Sequence, residues 1–231
     1  VEFLTNQYFM LALTFASFIT ARYVQGRTGI ALLNPLLVSI VVIIAILKGC
    51  DIDYDTYAQG GKYIDFWLKP AVVALALPLY RQLESIKKLF LPILCAELAG
   101  CVVGTVSVVL IAKLLGATQD VIISLSPKSV TTPIAIEVCN TLGGIPALTA
   151  AVVICTGIFG GMSGFRMMKI SRVKSPIAQG LSMGTAAHAV GTSAAMEVGY
   201  RYGAFSSLGL TINGIFTAIL APVILSLLGL I

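Results

Sequence analysis

The chain has 231 residues, 58% of them hydrophobic and 11% charged. That balance excludes an ordinary soluble domain and a disordered chain, and fits an integral membrane protein. The net charge of +5 sits on basic residues in short loops between apolar runs. There it sets membrane orientation rather than marking a nucleic-acid surface.

Taken in chain order, nearly charge-free runs cover 4–21, 28–47, 70–80, 89–112, 145–165 and 204–231. Most are near the length of a bilayer-spanning helix. The first run has no Lys or Arg before it and Arg22 after it, so it reads as a span and not as a signal peptide. Asp51, Asp53, Asp55 and Lys62 read as a polar loop. The run at 70–80 is short and contains Pro70 and Pro78; it needs its flanks to span and is expected to kink. The five cysteines (Cys50, Cys95, Cys101, Cys139 and Cys155) form no Cys-x-x-Cys pair. They read as small apolar fillers, without a disulfide framework or a metal site.

The segments 117–143 and 178–203 interrupt this pattern. The first contains Ser126, Pro127, Lys128, Ser129, Thr131, Thr132 and Pro133, and its two prolines break the helical hydrogen-bond ladder. The second contains Gly184, Thr185, His188, Gly191, Thr192 and Ser193, where glycine lowers helix propensity. Backbone that is not helical at membrane depth must be buried in protein or line a wet cavity.

The two segments match at an offset of sixty residues. Ser129–Val138 and Ala189–Val198 share five identities in ten positions: Val130/Val190, Thr132/Thr192, Ala135/Ala195, Glu137/Glu197 and Val138/Val198. The same offset pairs Cys95 with Cys155, Gly100 with Gly160, Gly104 with Gly164, Gly143 with Gly203 and Lys128 with His188. Duplicated polar breaks in an apolar chain point to the two halves of a transporter site. The Gly100/Gly104 and Gly160/Gly164 spacings suit close helix packing.

Both segments either cross the membrane or turn back within it. Two hairpins place Arg22, Arg27, Arg81, Lys87, Lys88, Arg166, Lys169, Arg172, Lys174 and Arg201 on one side, against Lys48, Lys62, Lys69 and Lys113 on the other. Two full crossings divide the charges six against eight. The hairpin arrangement defines a clear cytoplasmic side and is favoured. The expected fold is thus an all-α, polytopic helical bundle with an inverted repeat and two re-entrant or broken-helix segments. Helices 1–3 occupy 1–90, the first repeat 91–143, the second 144–203 and a C-terminal helix 204–231.

Lys128 is an ammonium inside a broken membrane segment, a functional candidate by its expense alone. With Ser129, Thr131, Thr132, Thr185, Gly191, Thr192 and Ser193, and with helix N-termini beginning near Thr132 and Thr192, it suits a small carboxylate. His188, the only histidine, is a candidate for substrate binding or for carrying a proton. Glu137 and Glu197 are candidates for coupling. No nucleotide-binding loop or zinc pattern is present, and Ser, His and Glu lack hydrolase spacing. The expectation is a protein without enzymatic activity, cofactor or metal.

Five segments resemble the LrgB/CidB family of bacterial membrane proteins: Leu-Asn-Pro-Leu-Leu (33–37), Pro-Ala-Val-Val-Ala-Leu-Ala-Leu-Pro-Leu-Tyr (70–80), Pro-Lys-Ser-Val-Thr-Thr-Pro-Ile-Ala (127–135), Gly-Gly-Ile-Pro (143–146) and Gly-Thr-Ala-Ala-His-Ala-Val-Gly-Thr (184–192). The family often has Ser where Ala187 stands, which weakens any mechanism needing a hydroxyl there. The resemblance implies a multi-pass protein of the bacterial inner membrane, in the lipid bilayer with a small LrgA/CidA-like partner. A homo-oligomer is left open. It also implies two competing functions. One is holin/antiholin-like control of murein hydrolase export and autolysis. The other is transport of pyruvate, glycolate or glycerate, by similarity to the plastid glycolate/glycerate transporter, whose second half looks LrgB-like. The residues favour a carrier of small 2-oxo or 2-hydroxy acids coupled to a proton or cation.

Overall fold

The computed structural model describes residues 6–30, 33–74 and 76–231. Every regular element among them is helical. They fall into two compact units, 1–76 and 77–231.

The first unit holds α1 (Gln7–Thr28), α2 (Pro35–Gly49) and α3 (Tyr54–Ala74). Local chemistry sets their ends. The Asn6 side chain accepts from the Tyr8 amide at 2.8 Å. Asn34 accepts from Leu36 and Leu37 at 3.0 and 3.3 Å, with Pro35 at the first helical position. Met10, Ile43 and Leu47 form the unit's small core. The structure extends helix through Asp55 and Lys62, where the sequence reads as a loop; Asp55 lies in the first turn, favourable to the helix dipole. The 70–80 run is divided between the end of α3 and α4 (Ala76–Arg81), with residue 75 outside the described residues.

In the second unit, α5 (Leu83–Lys88) leads into α6 (Phe90–Leu114). Then follow α7 (Gln119–Leu125), α8 (Thr132–Leu142), α9 (Pro146–Ile170), α10 (Pro176–Val198) and α11 (Tyr200–Leu227). Among the described residues, α6, α9 and α11 are long and apolar enough to cross a membrane, and α2 is a shorter apolar helix of 15 residues. On α6, Ile93, Glu97, Cys101, Thr105 and Val109 recur every fourth residue and are buried, while Leu98, Val102, Val103, Leu110 and Ile111 face outward. A polar or small seam inside and a branched apolar face outside suit a helix solvated by lipid.

The chain reverses within each polar segment. Past α7 it turns through 126–131 and returns along α8. The return is seen in Leu142, which packs beside the cluster of α7 and the end of α6, and in Gly144, which abuts Ile123 and Ser124. The Ser124 side chain accepts from the Ile145 amide at 2.7 Å, and Thr149 donates to the Ser124 carbonyl at 2.9 Å. In α10 the reversal falls at one residue, His188, with φ 41 and ψ −130. Positive φ is strained for a residue with a Cβ and persists only where its surroundings hold it. Beyond it Gly191 comes back onto the Met183 carbonyl, and Ala195 packs with Met183 and Met168.

Small residues let these limbs close on their neighbours. A methyl added at Gly160 would lie 2.4 Å from Ala187 Cβ, and one at Gly164 would lie 2.4 Å from the Met183 sulfur. Pairing of Gly160 with Ala187 and Gly164 with Met183 makes α9 antiparallel to the first limb of α10. Ile93 with Leu181, and Gly100 with Thr185, make α6 parallel to that limb. α6 and α9 therefore run in opposite directions.

Candidate functional site

α11 joins the two reversals. Asn213, 1% exposed, donates from Nδ2 to the Ser129 carbonyl at 3.0 Å and to the Thr185 carbonyl at 3.1 Å. One amide thus bonds a carbonyl from each interrupted segment. Its Oδ1 and the Ser207 hydroxyl are buried without hydrogen-bond partners among the described residues.

Beside this junction lies a cavity of about 490 Å³. α6 contributes Pro92, Ile93, Ala96, Glu97, Gly100 and Gly104. The first reversal contributes Lys128 and Ser129, and the first limb of α10 contributes Leu181, Ser182, Thr185 and Ala186. It extends from Leu89 and Ser175 to Lys128. Leu89 follows the exposed pair Lys87 and Lys88, and Ser175 follows exposed Arg172 and Lys174. An anion approaching from that end meets a positive field first.

Inside, the lining is apolar except for a few convergent polar groups, as a small-molecule site requires. Lys128 is half-buried, and its ammonium donates to Ser129 Oγ at 2.9 Å. Glu97 is 1% exposed; Thr185 Oγ1 lies 2.8 and 2.7 Å from its two carboxyl oxygens. Neither Lys128 nor Glu97 has an ion-pair partner among the described residues. A buried ammonium without a carboxylate has donors free for a ligand.

The other sequence candidates lie elsewhere. Thr131 and Thr132 are half-buried and start α8 without lining the cavity. His188 is buried on the opposite side of α10. Its Nε2 donates to the Val153 carbonyl at 2.9 Å, and its ring fills the space left by Gly157. Thr192 is buried and donates to the His188 carbonyl at 2.9 Å, with Ser206 Oγ 3.0 Å away. Gly191 is buried against Met183, whereas Ser193, Glu137 and Glu197 are exposed. Thus Lys128, Ser129 and Thr185 share the cavity, and His188, Gly191 and Thr192 shape the reversal.

Sequence reading passes over Glu97, Asn213 and Ser206. For Glu97 a signal exists: it is the one acidic residue in the otherwise apolar run 89–112, and an intramembrane carboxylate is a functional candidate on cost alone.

Three long apolar helices and two interrupted segments, with a polar-based cavity of about 490 Å³, define a helical membrane protein. The chain belongs to the LrgB-like family, whose model matches residues 14–227. It is 36% identical over 218 residues to the holin-like protein CidB of Staphylococcus epidermidis, covering 94% of this chain and 95% of the relative. It is 37% identical over 201 residues to the antiholin-like protein LrgB of Bacillus mycoides, covering 87% of each. No solved structure matches it.

Proposed function

We propose that this protein is a carrier of small monocarboxylates, 2-oxo or 2-hydroxy acids such as pyruvate, glycolate or glycerate, in a bacterial inner membrane. The observation carrying this reading is the cavity ending at Lys128, an ammonium with no carboxylate partner among the described residues. The Lys128 ammonium and the Ser129 hydroxyl bind the carboxylate. A volume near 490 Å³ holds a three-carbon acid with water around it. The apolar remainder of the lining favours small acids over sugars.

In this reading the two reversals are re-entrant hairpins of an inverted repeat, 91–143 and 144–203. Support comes from the opposed directions of α6 and α9 and from the meeting of both reversals at Asn213. Alternating access then follows from movement of one repeat against the other, with an LrgA/CidA-like subunit as partner. The topology predicts that single cysteines replacing Lys113 and Arg172 react with an impermeant maleimide from opposite faces: Lys113 from outside, Arg172 from the cytoplasm. Reaction of both from the same face contradicts the hairpin arrangement.

The relatives favour a second reading, and they support it more directly than they support transport: they are named holin-like and antiholin-like. In that reading the chain regulates murein hydrolase export and autolysis. Proteoliposomes separate the two. The carrier reading expects saturable uptake of labelled pyruvate, glycolate or glycerate, with or without the LrgA-like partner, and retention of a trapped dye. Dye release without saturable uptake in either preparation supports the holin-like reading instead.

A further inference from the structure

Glu97 and Thr185 meet in a geometry that fixes a proton. Thr185 Oγ1 lies 2.7 Å from the Leu181 carbonyl, 2.8 Å from Glu97 Oε1 and 2.7 Å from Glu97 Oε2. Three oxygens thus surround a hydroxyl that owns one hydrogen. If that hydrogen goes to the Leu181 carbonyl, as threonine in a helix commonly donates to the residue four back, the Glu97 contact has none unless Glu97 supplies it. If it goes to an ionised Glu97, the 2.7 Å contact with the Leu181 carbonyl becomes two lone pairs facing each other. A carboxylic acid at Glu97, donating from one oxygen to Thr185, which donates in turn to Leu181, places hydrogens in two of the three contacts, including both the Leu181 contact and one carboxyl contact.

The surroundings agree. From α11, the residue against this pair is Gly209; a methyl there would lie 2.9 Å from Glu97 Oε1 and 3.2 Å from Thr185 Oγ1. From α10, the facing groups are Thr185 itself and Leu181. On α6, the Cys101 thiol one turn on shares a hydrogen with Thr217 at 3.4 Å. His188 lies on the far side of α10 against Val153. α5 and α7 meet α6 nearer its ends, at Leu89 and Val109. Among the described residues, the one cation lining the same cavity is Lys128, and it bonds Ser129. An ionised Glu97 here would be a buried charge with no cationic partner, an arrangement that proteins avoid by neutralising the group.

We propose that Glu97 is the proton-carrying residue of this protein: a carboxylic acid in the conformation described, whose proton crosses with one monocarboxylate anion. The anion is neutralised by Lys128 and the proton rides on Glu97, so one acid equivalent moves without net charge. On release the proton passes from Glu97 to cavity water, leaving a carboxylate that Thr185 can then serve as a plain donor. Glu97 sits on α6 and Thr185 on α10, so the exchange of donor and acceptor roles links protonation to the contact between the two helices. The coupling role rests on the carrier reading above; the protonation does not.

Two measurements test it separately. In proteoliposomes, an inward proton gradient should drive accumulation of labelled pyruvate by the wild type, with acidification reported by a trapped pH dye. Glu97→Gln should abolish gradient-driven accumulation and acidification while retaining pyruvate–pyruvate exchange, and Glu97→Asp should restore part of both. Gradient-driven accumulation at wild-type level in Glu97→Gln overturns the coupling role and leaves the carrier reading standing. Absence of any wild-type uptake sinks the carrier reading and the coupling role together. Independently, infrared spectra of the wild-type protein at neutral pH, minus those of Glu97→Gln, should show the C=O band of a protonated carboxyl. Its absence overturns the assignment of the proton, whatever is found for transport.

Discussion

In a monocarboxylate carrier with its anion at Lys128, Lys128→Ala should lower saturable pyruvate uptake by roughly 30-fold or more while leaving the protein folded. The magnitude follows from the physics of a desolvated charge pair. Removing one buried partner commonly costs about 2–5 kcal/mol, and each 1.4 kcal/mol is tenfold in affinity. The fold should survive because, among the described residues, the ammonium bonds only the neighbouring Ser129 hydroxyl, and truncation leaves no buried ion unpaired. Lys128→Arg keeps the charge but spreads it over a planar fork, so it should bind with altered selectivity and not simply recover. The measurement is initial uptake rate against concentration, with circular dichroism and monodispersity in detergent as the control. Wild-type uptake in Lys128→Ala would move the anion elsewhere.

Gly184→Ala should have the largest effect on folding. A methyl at that position would lie 2.0 Å from the Ser206 carbonyl oxygen and 2.8 Å from the Leu210 amide nitrogen. Both obstacles are backbone of α11, so no side chain can swing aside. Overpacking of this kind typically costs about 1–3 kcal/mol where neighbours yield, and here the first limb of α10 must separate from α11. That separation also strains the Asn213 bond to the Thr185 carbonyl, one residue along the limb. The variant should show a lowered thermal unfolding midpoint in detergent and lose uptake together with stability. A comparison at Gly104, where nothing lies within 4 Å, should show that Gly104→Ala is tolerated. Equal midpoints for the two variants would contradict the close contact.

Much of this was legible in the residues, for physical reasons. Long charge-free runs announce α6, α9 and α11, because lipid admits little else. Pro127, Pro133 and the glycines of 184–191 announce the breaks, because those residues withdraw from a helical ladder. Lys128 announces itself by the expense of its charge in an apolar chain. What the sequence hides is pairing across distance. Glu97 is 88 positions from Thr185, and nothing local says that they meet. Asn213 looks like an incidental polar residue in an apolar helix until Ser129 and Thr185 are seen on its two amide hydrogens.

His188 shows the same boundary from the other side. The offset of sixty residues that pairs it with Lys128 also pairs Glu97 with Gly157. On α9 the missing side chain leaves a hole that the imidazole fills, so His188 turns to Val153 and not to the cavity. Side-chain volume at one position of α9 thus makes the two matching segments of sequence chemically unequal.

Equilibrium binding of labelled pyruvate to the purified protein, alone and with an LrgA-like protein, tests the central claim most directly. The account predicts saturable binding that unlabelled glycolate displaces and that Lys128→Ala abolishes. Binding that is absent from both preparations, or unchanged in Lys128→Ala, would contradict a carboxylate site at the end of this cavity.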